Sequence, residues 1–422
     1  MVTDGLSRDA KRVLVGTCFN AVGNGFVLPF TIIYLHEVRH ISLASAGLMF
    51  SATALVGVLV VPIIGTLVDR LGARPVLYAT LVLSTAGSLG LATARTPALA
   101  LVSMLVLGAG NGGSWPASQA FIAALVPAER RSRFFALGFA VLNLGIGLGG
   151  LAAAIIVRPG HPGTYELLFV ADAVTFVIDG VLLLPVRPRG VGRPEAEPDA
   201  PQGSYRLLLS DRVLRRLFTM QFVLVLVGYA QVEAGFPAYL RELGVSPRVV
   251  GIGFTFNTLT IVLGQLTVQR RSARVRRTRS LVVVASLWAA SWVVLASAWW
   301  LPAGARPAVA IVYSIIFAAG EMFFAPTIPS LVNDIAPERL RGRANAASSL
   351  CWTGASVVGP VLAGAMIGAG ASIAWLVVLI AGCAGAALLA LHLERIVPAD
   401  ANLPPEPDDG LQIVLPETTA RV

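Results

Sequence analysis

Apolar residues along the chain gather into twelve blocks, at 13–35, 46–68, 75–94, 97–126, 134–157, 165–186, 214–239, 248–269, 281–301, 306–334, 344–368 and 371–393. Charged residues and many of the prolines fall between the blocks or at their ends. About 20 apolar residues in a row make a helix long enough to cross the roughly 30 Å of bilayer hydrocarbon. Strands of a membrane barrel would instead show short alternating stretches of about ten residues. The pattern therefore predicts an all-α integral membrane protein with twelve transmembrane helices. The opening segment, MVTDGLSRDAKRV, runs into a block too long for the apolar region of a cleaved signal, so the first block is expected to be a retained helix.

Composition agrees with this reading. Of the 422 residues 56% are hydrophobic and only 13% charged, against about 25% charged in an ordinary soluble protein. The formal net charge of +9 invites a nucleic-acid reading until the basic residues are placed. With the N-terminus inside, the outer connections hold only Arg39, Arg95, Arg158, Arg241, Arg248 and Arg306, which leaves 26 of the 32 Lys and Arg on the inner side. The positive-inside rule then puts both termini in the cytoplasm. The excess base is a topology signal, and the partners expected are the lipid bilayer and a small-molecule substrate, with no nucleic acid and a monomeric chain.

The blocks divide into two sets of six. Residues 1–12 form a cytoplasmic N-terminus, 13–186 a first six-helix bundle, 187–213 a cytoplasmic linker, 214–393 a second bundle and 394–422 a tail. The linker, VRPRGVGRPEAEPDAPQGSYRLLLSDRVLRR, is rich in Pro, Gly and charge and turns helix-like from about Ser204. The proline-rich tail has little to bury and is expected to be disordered. Offsetting the chain by 210 residues aligns Gly110 with Gly320, Pro116 with Pro326, Pro127 with Pro337, Arg131 with Arg341, Arg133 with Arg343 and Gly149 with Gly359. A repeat of this kind is how secondary transporters build two pseudo-symmetric bundles around a site near the midplane.

The stretch GTLVDRLGARPVL, residues 65–77, resembles the signature loop between helices two and three of the major facilitator superfamily, and the resemblance extends along essentially the whole chain. It implies a cytoplasmic latch. Gly65 ends the second helix, Asp69 and Arg70 form an acid-base core, Gly72 turns the chain and Arg74 restores positive charge. Asp69 is expected to accept from free amides at a helix N-terminus and to pair with Arg133 or Arg343. A second match, ASVVGPVLAG at 355–364, is similar to the family's glycine-proline pattern, here on helix eleven with Gly359, Pro360 and Gly364. Helix five keeps Gly145, Gly149 and Gly150, with Gly150 where antiporters of the family usually carry proline. Small residues of this kind let helices approach closely and bend. Helix four has Met104, Leu105 and Val106 where many proton exchangers of the family carry an arginine.

Every acid placed within a span needs a physical reason, since a charge at the bilayer centre costs about 2.5–3.5 kcal/mol on insertion scales. Asp172, Asp179, Glu233 and Glu321 qualify. The resemblance places helices one, four, seven and ten around a central cavity and helices three, six, nine and twelve outside. Glu321, in the middle of helix ten, is then the first choice for substrate or proton contact, and Glu233 lies toward the outer end of helix seven. Asp172 and Asp179 share one face of helix six, where they can fix packing or relay a proton. Asn20 and Asn24 share a face of helix one, Asn111 is the repeat partner of Glu321, and Gln231 is a further cavity candidate.

Enzyme readings gain no support. LVLGAGNGGSWP, residues 105–116, carries the G-x-G-x-x-G spacing of a dinucleotide loop at Gly108, Gly110 and Gly113, but it lies inside a 30-residue apolar run and only Gly110 recurs in the repeat. The four histidines, His36, His40, His161 and His392, have neither zinc nor triad spacing, and Cys18, Cys351 and Cys383 sit apart within apolar blocks. No metal and no cofactor are expected, and a proton is the expected coupling ion. The resulting expectation is a multi-pass protein of a bacterial cell membrane, a proton-coupled multidrug-type exporter of small hydrophobic or cationic compounds. A nutrient importer on the same scaffold and a non-transporting sensor are the competing readings.

Overall fold

The computed structural model describes residues 7–126, 128–186, 210–272, 275–337 and 340–403. Twelve spans run through it. In the N-terminal half these are α1 (Arg8–Val27), α2 (Leu43–Leu71), α3 (Ala73–Thr93), α4 (Pro97–Leu125), α5 (Ala128–Ile156) and α6 (Pro162–Leu183). In the C-terminal half they are α7 (Arg212–Val227), α8 (Pro247–Ser272), α9 (Arg277–Ser297), α10 (Arg306–Ile335), α11 (Arg341–Gly368) and α12 (Ser372–Glu394). Eleven of these spans are long and apolar enough to cross a membrane by length and composition. The exception is α6, whose 22 residues include Glu166, Asp172 and Asp179.

Local chemistry sets the ends. Ser7, Ser42 and Thr96 accept from the amides of Ala10, Ser45 and Leu99, and Asp211 accepts from Val213 and Leu214, each satisfying donors at a helix start. Prolines at the first turn of α4, α6 and α10 use a position where the missing N–H is harmless. Gly72, at φ 86°, closes α2 and opens α3 in a conformation that favours glycine. α2 runs through Gly65 without interruption, so Gly65 does not end the helix as expected.

Two spans are broken. α1 stops at Val27, before Pro29, and continues as a short turn, Thr31–Ile33, and a wider π-type turn, Tyr34–Val38. α7 is interrupted at Gly228 and again at residues 233–234, continuing as Tyr229–Val232 and Gly235–Glu242. Such breaks are tolerated at membrane depth where protein groups satisfy the freed backbone.

Each half packs as its own bundle, α1 against α5 and α6 and α3 against α4 and α6 in one, α9 against α10 and α12 and α7 against α11 and α12 in the other. The bundles meet where α2 crosses α11 and α5 crosses α8. Among the described residues, the hydrogen bonds seen between bundles lie in the outer half. Ser51 donates to the Val357 carbonyl, Thr255 to the Gly147 carbonyl at 3.2 Å and Arg248 to the Val157 carbonyl at 2.9 Å, while Arg241 grips both carboxylate oxygens of Glu37. Among the described residues the bundles are thus bonded at the outer face and not toward the cytoplasm.

The linker at 187–209, including the helix expected from Ser204, lies outside the described residues. The tail is ordered at its start, which corrects the expectation of disorder from residue 394. Residues Ala399–Asn402 form a helical turn, Asn402 accepts from the Thr278 amide at 3.0 Å, and Arg277 donates to the Ala401 carbonyl at 2.8 Å. This turn satisfies donors at the start of α9 that would otherwise face the inner surface unpaired.

Candidate functional site

Each bundle presents one intramembrane carboxylate with amides around it. In the C-terminal bundle Glu321, half-buried on α10, accepts from the Asn257 side chain of α8 at 2.6 Å, and the Tyr229 hydroxyl faces the same carboxylate from the broken part of α7. No described basic residue pairs with it. Behind it stands an aromatic wall. Trp288 stacks on Phe317 with centroids 5.0 Å apart, and Tyr229 lies against Trp288, Phe324 and Trp352 at 5.3, 5.6 and 4.8 Å. The void beside Asn257, bounded by Val232, Phe254 and Tyr313, measures only about 10 Å³.

In the N-terminal bundle, Asn20, Asn24, Asn111 and Asp179 line one cavity of about 320 Å³ between α1, α3, α4 and α6. Asn20 lies against the Asp179 carboxyl, and Asn111 accepts from Ser84 on α3 at 3.1 Å. α6 reaches this cavity because α1 is notched. A Cβ on Gly16 would strike the Asp179 carboxylate and one on Gly23 would strike Asp172 and Thr175. Both acids of α6 therefore turn inward onto α1, although their helix is peripheral. They do not share a partner. Asp172 is sealed at 1% exposure with Ser88 as donor, while Asp179 borders the cavity.

Gln231, expected at the cavity, is completely buried and belongs to the scaffold. Its amide nitrogen donates to the Leu226 and Gly359 carbonyls at 2.9 and 3.3 Å, and its oxygen accepts from the Trp375 indole at 2.9 Å. It closes the break in α7 together with Trp292, whose indole donates to the Val227 carbonyl at 2.9 Å. Glu233 is exposed at the second break of α7, with no hydrogen-bond partner among the described residues.

The latch residues are parted. Asp69 and Arg70 are exposed and make no ion pair, and Arg343 makes none either among the described residues. The Arg133 side chain lies outside the described residues. The contacts seen between α2 and α11, at Leu43, Gly47 and Ser51, lie in their outer halves, and the expected bond between Asp69 and Arg343, at the two inner ends, is not formed. Arg74 is engaged, donating to the Leu184 carbonyl at 2.7 Å and thereby capping the inner end of α6.

The packing glycines sit at crossings. A Cβ on Gly145 or Gly149 would strike α1, and one on Gly359 would strike Ala230 of α7. Gly150, which stands where antiporters carry proline, faces the Gly251 carbonyl across the bundle boundary, and Gly364 lies against the Leu43 carbonyl at the other boundary, beside Pro360 and Gly47. Gly108, Gly110 and Gly113 bring α4 against α2 and α3, so the dinucleotide-like spacing is a packing seam in mid-helix. Asn257, Tyr229 and Ser88 were not singled out from the sequence. Asn257 carried a signal, as an amide in the middle of the apolar block 248–269.

Two repeated six-helix bundles, joined at one face and parted at the other, with a carboxylate set into each, define a secondary transporter. The sequence profile of the Major Facilitator Superfamily matches residues 13–242 and 233–419, and the chain belongs to that superfamily. An uncharacterized MFS-type transporter, YttB of Bacillus subtilis (strain 168), is 24% identical over 371 residues, covering 86% of this chain and 89% of its own. The class C tetracycline resistance protein of Escherichia coli is 27% identical over 386 residues, covering 88% and 94%. Among solved structures, a single-residue mutant of the nucleoside transporter NupG superposes with a TM-score of 0.76 at 13% identity, covering 93% of this chain and all of that one.

Proposed function

We propose that this protein exports small hydrophobic or cationic compounds across the cell membrane in exchange for protons. The observation that carries the reading is Glu321, a carboxylate at mid-membrane depth that is held by neutral donors and lacks a counter-cation. Such a group is held in place in either protonation state, which suits a carrier that must cross the membrane cycle both loaded and empty. The void beside its partner Asn257 is water-sized, which suits a proton better than a substrate. The similarity to a tetracycline resistance protein supports the export direction and the drug-like substrate class.

Inside-out vesicles with an imposed acidic interior provide the test, using tetracycline and a panel of lipophilic dyes. The expected outcome is accumulation of at least one compound, abolished by a protonophore. Glu321→Gln is expected to lower gradient-driven accumulation at least tenfold while leaving exchange of labelled for unlabelled compound in place. Accumulation that ignores the gradient, or that survives Glu321→Gln unchanged, overturns the coupling assignment. Proton-driven uptake into right-side-out vesicles would reverse the direction.

A further inference from the structure

The cavity of the N-terminal bundle is far larger than the void beside Asn257. Its volume is about 320 Å³, against about 10 Å³ there. Its polar groups are unevenly distributed. Asp179, only 8% exposed, is the one charged residue among those that line it, and no described Lys or Arg reaches it. A carboxylate withdrawn from water without a counter-ion is unfavourable, and an incoming cation relieves that imbalance more than a neutral molecule can. The rest of the wall suits an organic cation. Asn20, Asn24, Asn111, Ser114 and Ser118 supply neutral polar groups around the acid, and the Trp115 indole, 68% exposed, offers an aromatic face at the rim.

Geometry explains why Asp179 and not Asp172 is available. Both acids lean on α1 over a glycine, seven residues apart on the same face of α6. Asp172 meets Ser88 and Thr175 in a sealed contact between α1, α3 and α6. One step toward the cytoplasm, α4 carries Asn111, Ser114 and Ser118 in place of bulky side chains, and the space they leave is what Asp179 borders. The cavity thus lies on the cytoplasmic side of the closed outer contacts, where a substrate for export would arrive.

We infer that Asp179 anchors a binding subsite for hydrophobic monovalent organic cations, amines or quaternary onium ions, formed by α1, α4 and α6 within the N-terminal bundle. The inference rests on the export reading and divides its chemistry between the bundles, substrate charge at Asp179 and the exchanged proton at Glu321.

The test uses the full-length protein purified in detergent and two ions of matched shape and opposite charge, tetraphenylphosphonium and tetraphenylborate, with binding measured by calorimetry. Phosphonium is expected to bind and borate not. Asp179→Asn is expected to weaken phosphonium binding at least tenfold, with Asp179→Glu restoring it to within a few-fold. Equal binding of borate, or phosphonium affinity unchanged in Asp179→Asn, overturns the inference. Should Asp179→Asn fail to fold, the wild-type chain is labelled with a hydrophobic carbodiimide and the adducts mapped by mass spectrometry. Phosphonium is expected to protect Asp179, and labelling of Asp179 that phosphonium leaves unaltered overturns the subsite. Because equilibrium binding needs no gradient, a failure of the vesicle assay with phosphonium binding intact removes the coupling reading alone.

Discussion

A polar side chain inside an apolar span announces that it has a partner, but not which way it points. Asn20, Asn24, Asn111 and Asp179 were all legible as polar positions on helices one, four and six, and the structure gathers them at one cavity. Gln231 was equally legible and turns the other way, into the break of α7, where its amide nitrogen donates to the Leu226 carbonyl beside the break and to the Gly359 carbonyl of α11. Its removal takes the donor from the Leu226 carbonyl and the acceptor from the Trp375 N–H in a fully buried place, where an orphaned group costs about 1–3 kcal/mol. Gln231→Leu is therefore expected to lower thermal stability in detergent by that order while leaving ligand binding at Asp179 intact. A stability equal to that of the wild type would show that the amide is dispensable. Asn257 and Tyr229 were missed because their role exists only across helices, opposite an acid 64 and 92 residues away respectively in sequence.

At the level of elements, the block pattern carried the number, order and direction of the spans, since length and charge asymmetry alone determine them. The breaks of α1 and α7 were not readable as breaks. Gly228, Gly235 and Pro237 were visible, but similar residues elsewhere, such as Pro116 and Pro326, sit inside continuous helices. The difference lies in the neighbours, since Trp292 and Gln231 are present to take up freed carbonyls of α7. Glycines divide by the same criterion. Gly149 is pressed against the Val22 carbonyl of α1, whereas nothing stands within 4 Å of where a Cβ on Gly65 would be. Gly149→Leu is expected to prevent α1 and α5 from closing, so that monodisperse protein is lost on gel filtration. Gly65→Leu is expected to leave folding and thermal stability unaltered, and equal loss of folded protein in both variants would contradict this division.

For the whole molecule, five of the six arginines that run against the positive-inside bias hold the outer face together. Arg39 and Arg95 converge on Glu166 at 2.6 and 3.0 Å, Arg241 holds Glu37 across the bundle boundary, and Arg248 and Arg306 donate to backbone carbonyls. Glu37 and Arg241 are 30% and 22% exposed, a setting where an ion pair contributes about 0.2–1 kcal/mol. Glu37→Gln is expected to shift the population toward the outward-open state by no more than about fivefold, read as a change in spin-label distances between the cytoplasmic ends of α2 and α11. No change in the distance distribution would assign outer closure to the helix crossings alone.

The three acids of α6 also constrain how the protein is made. Glu166 is met by arginines of the α1–α2 and α3–α4 connections, Asp172 by Ser88 of α3, and Asp179 by the notch at Gly16 of α1. On its own, a segment with two carboxyls at depth is a poor candidate for release into lipid. With α1 to α4 already assembled, each carboxyl has a prepared place to enter. The sixth span thus has a built-in dependence on the order of synthesis. In the folded chain α6 is the closing piece of the first bundle, since the partners of all its acids precede it in sequence.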